Sequence, residues 1–125
     1  MFDKELANEI LSRIYRSTQI VLKRFKPITS SDDFIKTEEG LERLDSICMQ
    51  LIAIGEGLKG LDKVTGKSLL KKYPEIEWKK VMGMRDVITH HYFDLDAEIV
   101  FDVCEYHIEE LAGTINKIIE DLKGQ

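Results

Sequence analysis

The chain has 125 residues, 43% of them hydrophobic and 33% charged, which fits a single domain spanning 1–125 with its own core and excludes a disordered chain. A net charge of −5 excludes a general nucleic-acid coat, though not a local basic patch. The N-terminus MFDKELANEI shows no secretory signal, and no apolar run approaches the ~20 residues of a membrane span, so a cytoplasmic protein away from the membrane is expected.

From Asp3 to Lys26, apolar residues recur at Leu6, Ile10, Ile14, Val21 and Phe25, with Ala7, Leu11 and Leu22 beside them. That is the three-to-four spacing of one helix face, and Pro27 ends it. ITSSDDF supplies turn and capping residues, with a short helical turn through Phe34. A second long helix is predicted from near Thr37, a capping residue followed by Glu38 and Glu39, which favour a helix N-terminus. Its stripe is Leu41, Leu44, Cys48, Leu51, Gly55 and Leu58, widened by Ile47, Ile52 and Ile54. Gly55 and Gly57 inside such a helix each cost about 1 kcal/mol against alanine, which points to another backbone packed closely there.

A short helix is expected around Lys67 to Tyr73, before Pro74, and a further one from about Glu77, with Trp78, Val81, Met82, Met84 and Ile88 as its apolar residues. FDLD reads as a turn, with Asp94 or Asp96 capping one long final helix that carries Val100, Cys104, Ile108, Leu111, Ile115, Ile118 and Leu122. Cys48 and Cys104 both fall on apolar stripes, as small buried thiols do. With no alternating strand pattern, the expected fold is all-α, an antiparallel bundle of four or five helices.

Charge is unevenly spread. Residues 59–85 hold 8 basic and 3 acidic side chains, whereas residues 86–125 hold 2 basic and 10 acidic. The basic island ends at Arg85, where the stretch RDVITHHY begins. On a helix Arg85 and Tyr92 differ by about 20° in azimuth and share a face, while His90 stands ~140° from Arg85. Arg85 offers a planar fork of donors suited to phosphoryl oxygens, and a histidine can pass a proton to a leaving oxygen. Together they suit metal-free RNA cleavage, in which a ribose 2′-hydroxyl attacks the neighbouring phosphorus. Convergence of the two requires a helix ending near His90 or a second copy of the chain. The plain alternative is that Arg85 pairs with Asp86 or with a carboxylate of the acidic final helix.

His90, His91, Asp94, Asp96, Cys104 and His107 are metal-ligand types, but adjacent histidines point about 100° apart on a helix and no full ligand set has motif spacing. No metal and no cofactor are expected. Lys63, Lys67 and Lys71 are spaced four apart around the interruption at Gly66; with Lys72, Lys79 and Lys80 they can steer an RNA backbone towards Arg85.

RDVITHHY fits the pattern R-x4-H-x-Y and resembles the HEPN superfamily, specifically HepT-like toxins paired with minimal nucleotidyltransferase antitoxins. The likeness extends along the chain: an apolar helix, IGEG, a short basic segment, PEIEWKKVMGMRD, HHYFDLD and a long final helix. Asparagine often follows the arginine in that subfamily and glycine precedes the tyrosine; Asp86 and His91 stand there in this chain, so two imidazoles are candidates for the proton. The resemblance implies a homodimer with facing motifs that acts as an endoribonuclease on RNA. Arg85 and His90 would be catalytic, with Asp86, His91 and Glu56 in support, Glu56 by orienting Arg85. It further implies a toxin neutralised by a cognate nucleotidyltransferase antitoxin that adds AMP to Tyr92. A non-catalytic helical module that partners a nucleotidyltransferase is the alternative.

Overall fold

The computed structural model describes residues 2–90 and 96–124, and every regular element among them is helical. Asp3 opens α1 (Lys4–Phe25) by accepting the Leu6 N–H at 3.0 Å, which satisfies a donor that the first turn leaves without a partner. Ala7, Leu11, Ile14, Thr18, Val21 and Phe25 are its buried line. Leu6, expected on that line, is exposed, while Thr18 is buried because its hydroxyl donates to the Tyr15 carbonyl at 2.6 Å. After Pro27, the Asp33 carboxylate accepts from the Thr29 N–H at 2.8 Å, the Thr29 hydroxyl at 2.9 Å and the Ser30 N–H at 3.3 Å. The single turn α2 (Asp32–Ile35) follows from that knot, with Phe34 fully buried.

Thr37 caps α3 (Glu38–Val64) by accepting the Gly40 N–H at 2.9 Å. Its buried line runs from Leu44 through Ile47, Cys48, Leu51, Ile54, Leu58 and Leu61, whereas Leu41 lies outside it and is exposed. α3 is the central element, packed against α1 on one side. A β-carbon on Gly57 would meet Ile14 Cγ1 of α1 at 2.8 Å, so the small residue permits that approach.

α3 closes in a left-handed turn. Gly66 N–H donates to the Lys63 carbonyl at 3.2 Å and Lys67 N–H to the Asp62 carbonyl at 2.8 Å, the paired bonds of a Schellman cap. Both Gly66 and Lys67 have φ near +61°. The short helix expected from Lys67 is therefore shorter, a 3-10 turn at Leu70–Lys72, because Lys67 is committed to that cap. Tyr73 then donates its hydroxyl to Asp121 at 2.6 Å, and Trp78 Nε1–H donates to the Tyr73 carbonyl at 2.9 Å, which sets where the next helix begins.

α4 (Trp78–His90) packs on α3, with Trp78 and Ile88 buried. The expected long final helix is two: α5 (Ala97–Tyr106), capped by Asp96, and α6 (Ile108–Lys123). His107 departs from helical geometry at φ −125°, although His107 N–H to Val103 O and Leu111 N–H to His107 O remain at 3.0 Å. The bend lets α5 lean onto Phe25, where the Phe101 ring sits 5.3 Å away, while α6 packs against α1. The apolar stripe continues through it, since Val100, Cys104, Ile108, Leu111, Ile115, Ile118 and Leu122 are all buried. Among the described residues the fold is thus an all-α bundle of six helices, the single turn α2 and the bend accounting for the excess over four or five. No described helix is long and apolar enough to cross a membrane.

Candidate active site

The site is built where α3 and α4 come closest. A β-carbon on Gly55 would lie 3.2 Å from the backbone oxygens of Val81 and Met82 and 3.6 Å from Arg85 Cβ. The absence of a side chain there lets α4 settle directly on α3, as expected of Gly55, whereas Gly57 meets the Ile14 side chain of α1 rather than a backbone. Glu56, the next residue of α3, then meets Arg85 of α4: Nε donates to Glu56 Oε1 at 2.8 Å, and Nη1 to Asp86 Oδ1 at 3.3 Å. The Arg85 and Glu56 side chains are 45% and 49% exposed, so the pair adds at most about 1 kcal/mol to stability; what it supplies is direction. Two edges of the guanidinium are held, and its remaining N–H groups are those available to an anion. Thr89 donates its hydroxyl to the Arg85 carbonyl at 2.9 Å.

His90 is the last residue of α4 and is exposed. Five residues beyond Arg85, it is displaced ~7.5 Å along the axis and ~140° around it, so the two side chains leave one helix in different directions. Glu56, Arg85 and Asp86 are thus brought together, and His90 stands apart from them. His91, Tyr92 and Asp94 lie outside the described residues. Cys48 and Cys104 are buried, and burial pushes their thiols up to about 11 and about 12, a poor state for binding metal. Among the described residues, no three His, Cys, Asp or Glu side chains cluster to hold a metal ion.

Next to the Glu56–Arg85 pair lies a shallow cavity of about 390 Å³, lined by Lys59, Asp62, Lys63, Gly66, Lys67 and Met82. Lys59 was not among the lysines singled out from the sequence, although it continues their four-residue spacing. Lys71, Lys72, Lys79 and Lys80 do not line this cavity, and Lys80 instead pairs with Glu77 at 3.4 Å.

Residues 14–118 match the family described as Ribonuclease HepT-like, a span that contains Glu56, Arg85 and His90. Three similar proteins have names that propose an RNase. MJ0127 of Methanocaldococcus jannaschii is 30% identical over 94 residues, covering 75% of this chain and 72% of that protein. MJ1216 of the same organism is 36% identical over 78 residues, 62% of this chain and 60% of its own length. TTE0752 of Caldanaerobacter subterraneus subsp. tengcongensis is 30% identical over 113 residues, 90% of this chain and 94% of that protein. No solved structure gives a significant match.

Proposed function

We propose that this chain, which belongs to the ribonuclease HepT-like family, is a metal-independent endoribonuclease acting at a site shared by two copies of itself. The observation that carries the reading is the Glu56–Arg85 pair, 2.8 Å across the α3–α4 crossing, in a chain whose family match spans both residues. A guanidinium fixed from behind by a carboxylate presents its free edge to a phosphate without reorganising at the moment of reaction. The nucleophile needs no metal to generate it, because RNA brings its own 2′-hydroxyl. The 2′-oxygen bonds to phosphorus as its proton leaves to a base, the bond from phosphorus to the 5′-oxygen breaks, and that oxygen takes up a proton. The products are a 2′,3′-cyclic phosphate and a 5′-hydroxyl.

Although α4 is described only to His90, Arg85 and His90 within it diverge by ~140°, which favours a site completed by a second copy over one built on a single α4. A second copy, its motif facing the first, supplies a second imidazole and a second guanidinium, so that one histidine takes the 2′ proton and the other gives one to the leaving oxygen. The test is cleavage of labelled RNA in EDTA. Activity should persist, yield the cyclic phosphate and fall roughly 10²–10⁴-fold in His90→Ala, with a milder loss in His91→Ala. Cleavage that requires Mg²⁺, or that survives loss of His90, overturns the mechanism. A stable monomer of 14.5 kDa in light scattering overturns the shared site.

The cellular role that fits this chemistry is the toxin of a toxin–antitoxin pair, neutralised by a nucleotidyltransferase. The Tyr92 hydroxyl attacks the α-phosphate of ATP, pyrophosphate leaves, and the attached AMP brings a negative charge and a bulky nucleoside into the motif that contains Arg85. Co-expression with the cognate transferase should raise the intact mass by AMP units, and Tyr92→Phe should abolish the increase. A neutralised but unmodified chain removes the role of Tyr92.

A further inference from the structure

We propose that the cavity lined by Lys59, Lys63 and Lys67 binds phosphates of a single RNA strand flanking the bond to be cut, so that the strand lies along the α3–α4 groove. This assignment rests on the ribonuclease reading of Arg85 and His90 for what lies at the groove's other end.

Placement is the first support. Lys59 follows Glu56 by three residues on α3, and Met82 precedes Arg85 by three on α4; both line the cavity. The cavity therefore begins about one helical turn, ~5.4 Å, from the Glu56–Arg85 pair along both helices at once. A strand with one phosphate against Arg85 has its neighbouring phosphates over the lysines.

Charge is the second. The segment 59–85 is the basic part of an otherwise acidic chain, so a polyanion is attracted here and repelled elsewhere. Within it, Lys59, Lys63 and Lys67 share one concavity with a single lining carboxylate, Asp62. Among the described residues none of the three ammonium groups has a carboxylate within ion-pair distance. All three side chains are exposed and line the hollow, so their flexible stems can bring three ammonium groups onto an anion seated there.

Backbone conformation is the third. The helix cap needs a left-handed residue at Gly66, where glycine adopts it freely. Lys67 adopts the same region at φ +61°, where a β-carbon is disfavoured. Lys67 carries a cost that glycine or asparagine would avoid, and its side chain is one that reaches the cavity. Ammonium groups are point charges that do not read bases, so the site recognises a phosphate chain rather than a sequence.

The test uses the full chain carrying His90→Ala, to prevent cleavage, with a fluorescent single-stranded RNA oligonucleotide and anisotropy across a salt series. Adding Lys59→Ala, Lys63→Ala and Lys67→Ala together should weaken binding at least about tenfold at low salt. The slope of log affinity against log salt should drop by about 2, since each phosphate contact on a single strand contributes about 0.7. The charge-matched triple Lys4→Ala and Lys23→Ala on α1 with Lys26→Ala at its C-cap should keep the parent slope; equal effects of the two triples would reduce the cavity to net charge and overturn the proposal. Lys67→Gly separates fold from site. It relieves the left-handed lysine and should raise the melting temperature while weakening RNA binding, and unchanged RNA affinity removes Lys67 from the site. A cavity triple that keeps RNA affinity but loses the transferase marks a protein-docking surface instead, which also overturns it. Because binding is read without cleavage, the two readings fail separately. Cavity-dependent binding by a chain that never cuts RNA sinks the ribonuclease, while His90-dependent cutting with unchanged affinity in the triple sinks the cavity.

Discussion

Gly55→Ala is the sharpest perturbation of the site, because it adds one methyl group to the surface that places α4. The new carbon would stand 3.2 Å from two backbone oxygens of α4, tighter than ordinary van der Waals contact. Those oxygens belong to Val81 and Met82 inside a helix, so they cannot rotate away as a side chain would, and α4 must move outward by a few tenths of an ångström. Two terms oppose each other. Alanine gains ~0.8–1.0 kcal/mol over glycine in a helix interior, and overpacking costs about 1–3 kcal/mol. Gly60 is the internal reference: it lies in the same helix, and a β-carbon there meets nothing within 4 Å. Gly60→Ala should therefore stabilise by ~1 kcal/mol, and Gly55→Ala should fall below it by about 1–3 kcal/mol. Urea unfolding of the two variants and the parent, at one protein concentration, measures the difference. RNA cleavage should fall in Gly55→Ala alone, because the outward shift carries Arg85 off Glu56. Equal stabilisation by the two alanines would refute the close approach and, with it, the account of how Arg85 is placed.

Glu56→Gln should melt within about 1 kcal/mol of the parent, because the ion pair is half-exposed, yet should lower kcat for RNA, with Glu56→Ala lowering it further; activity that merely tracks melting temperature would deny a positioning role. Asp33→Asn should destabilise at neutral pH, since the Thr29 N–H, the Lys36 ammonium and the Thr29 hydroxyl hold the carboxyl well below its ordinary value of 3.8. A depressed carboxyl stabilises above the unfolded value and loses that contribution as pH falls beneath it, so the gap between variant and parent should close under acid; a gap constant with pH would point to packing instead. The Cys48 and Cys104 thiols, raised by burial, should react with an alkylating reagent slowly in the folded chain and quickly in urea, and fast labelling of the folded chain would contradict their burial.

What the sequence made legible and what it did not divide along physical lines. The buried faces of α1 and α3 are written in three-to-four spacing because burial acts on side chains one residue at a time, and Gly55 points to its close neighbour because a closely packed backbone offsets the cost of an interior glycine, whereas Gly60 in the same helix has no such neighbour. The bend at His107 had no such mark: no proline or glycine stands there, and the apolar stripe runs through it unbroken, so packing of α5 onto Phe25 decides it. The site divides the same way. Arg85 and its neighbour Asp86 are evident from the motif, whereas Glu56 is indicated only by the family resemblance and not by spacing, because its bond to Arg85 depends on a crossing between residues far apart in the chain. The lysines show most clearly why spacing alone misleads. Lys59, Lys63, Lys67 and Lys71 are four apart, and on a continuous helix each would follow the last along one slowly winding stripe, ~40° further round at every step. Instead α3 ends at Val64, and the left-handed pair Gly66 and Lys67 turns the chain so that Lys67 lines the cavity and Lys71 does not. The set that shares a hollow is therefore chosen by a cap, and its strained member is visible only in the backbone.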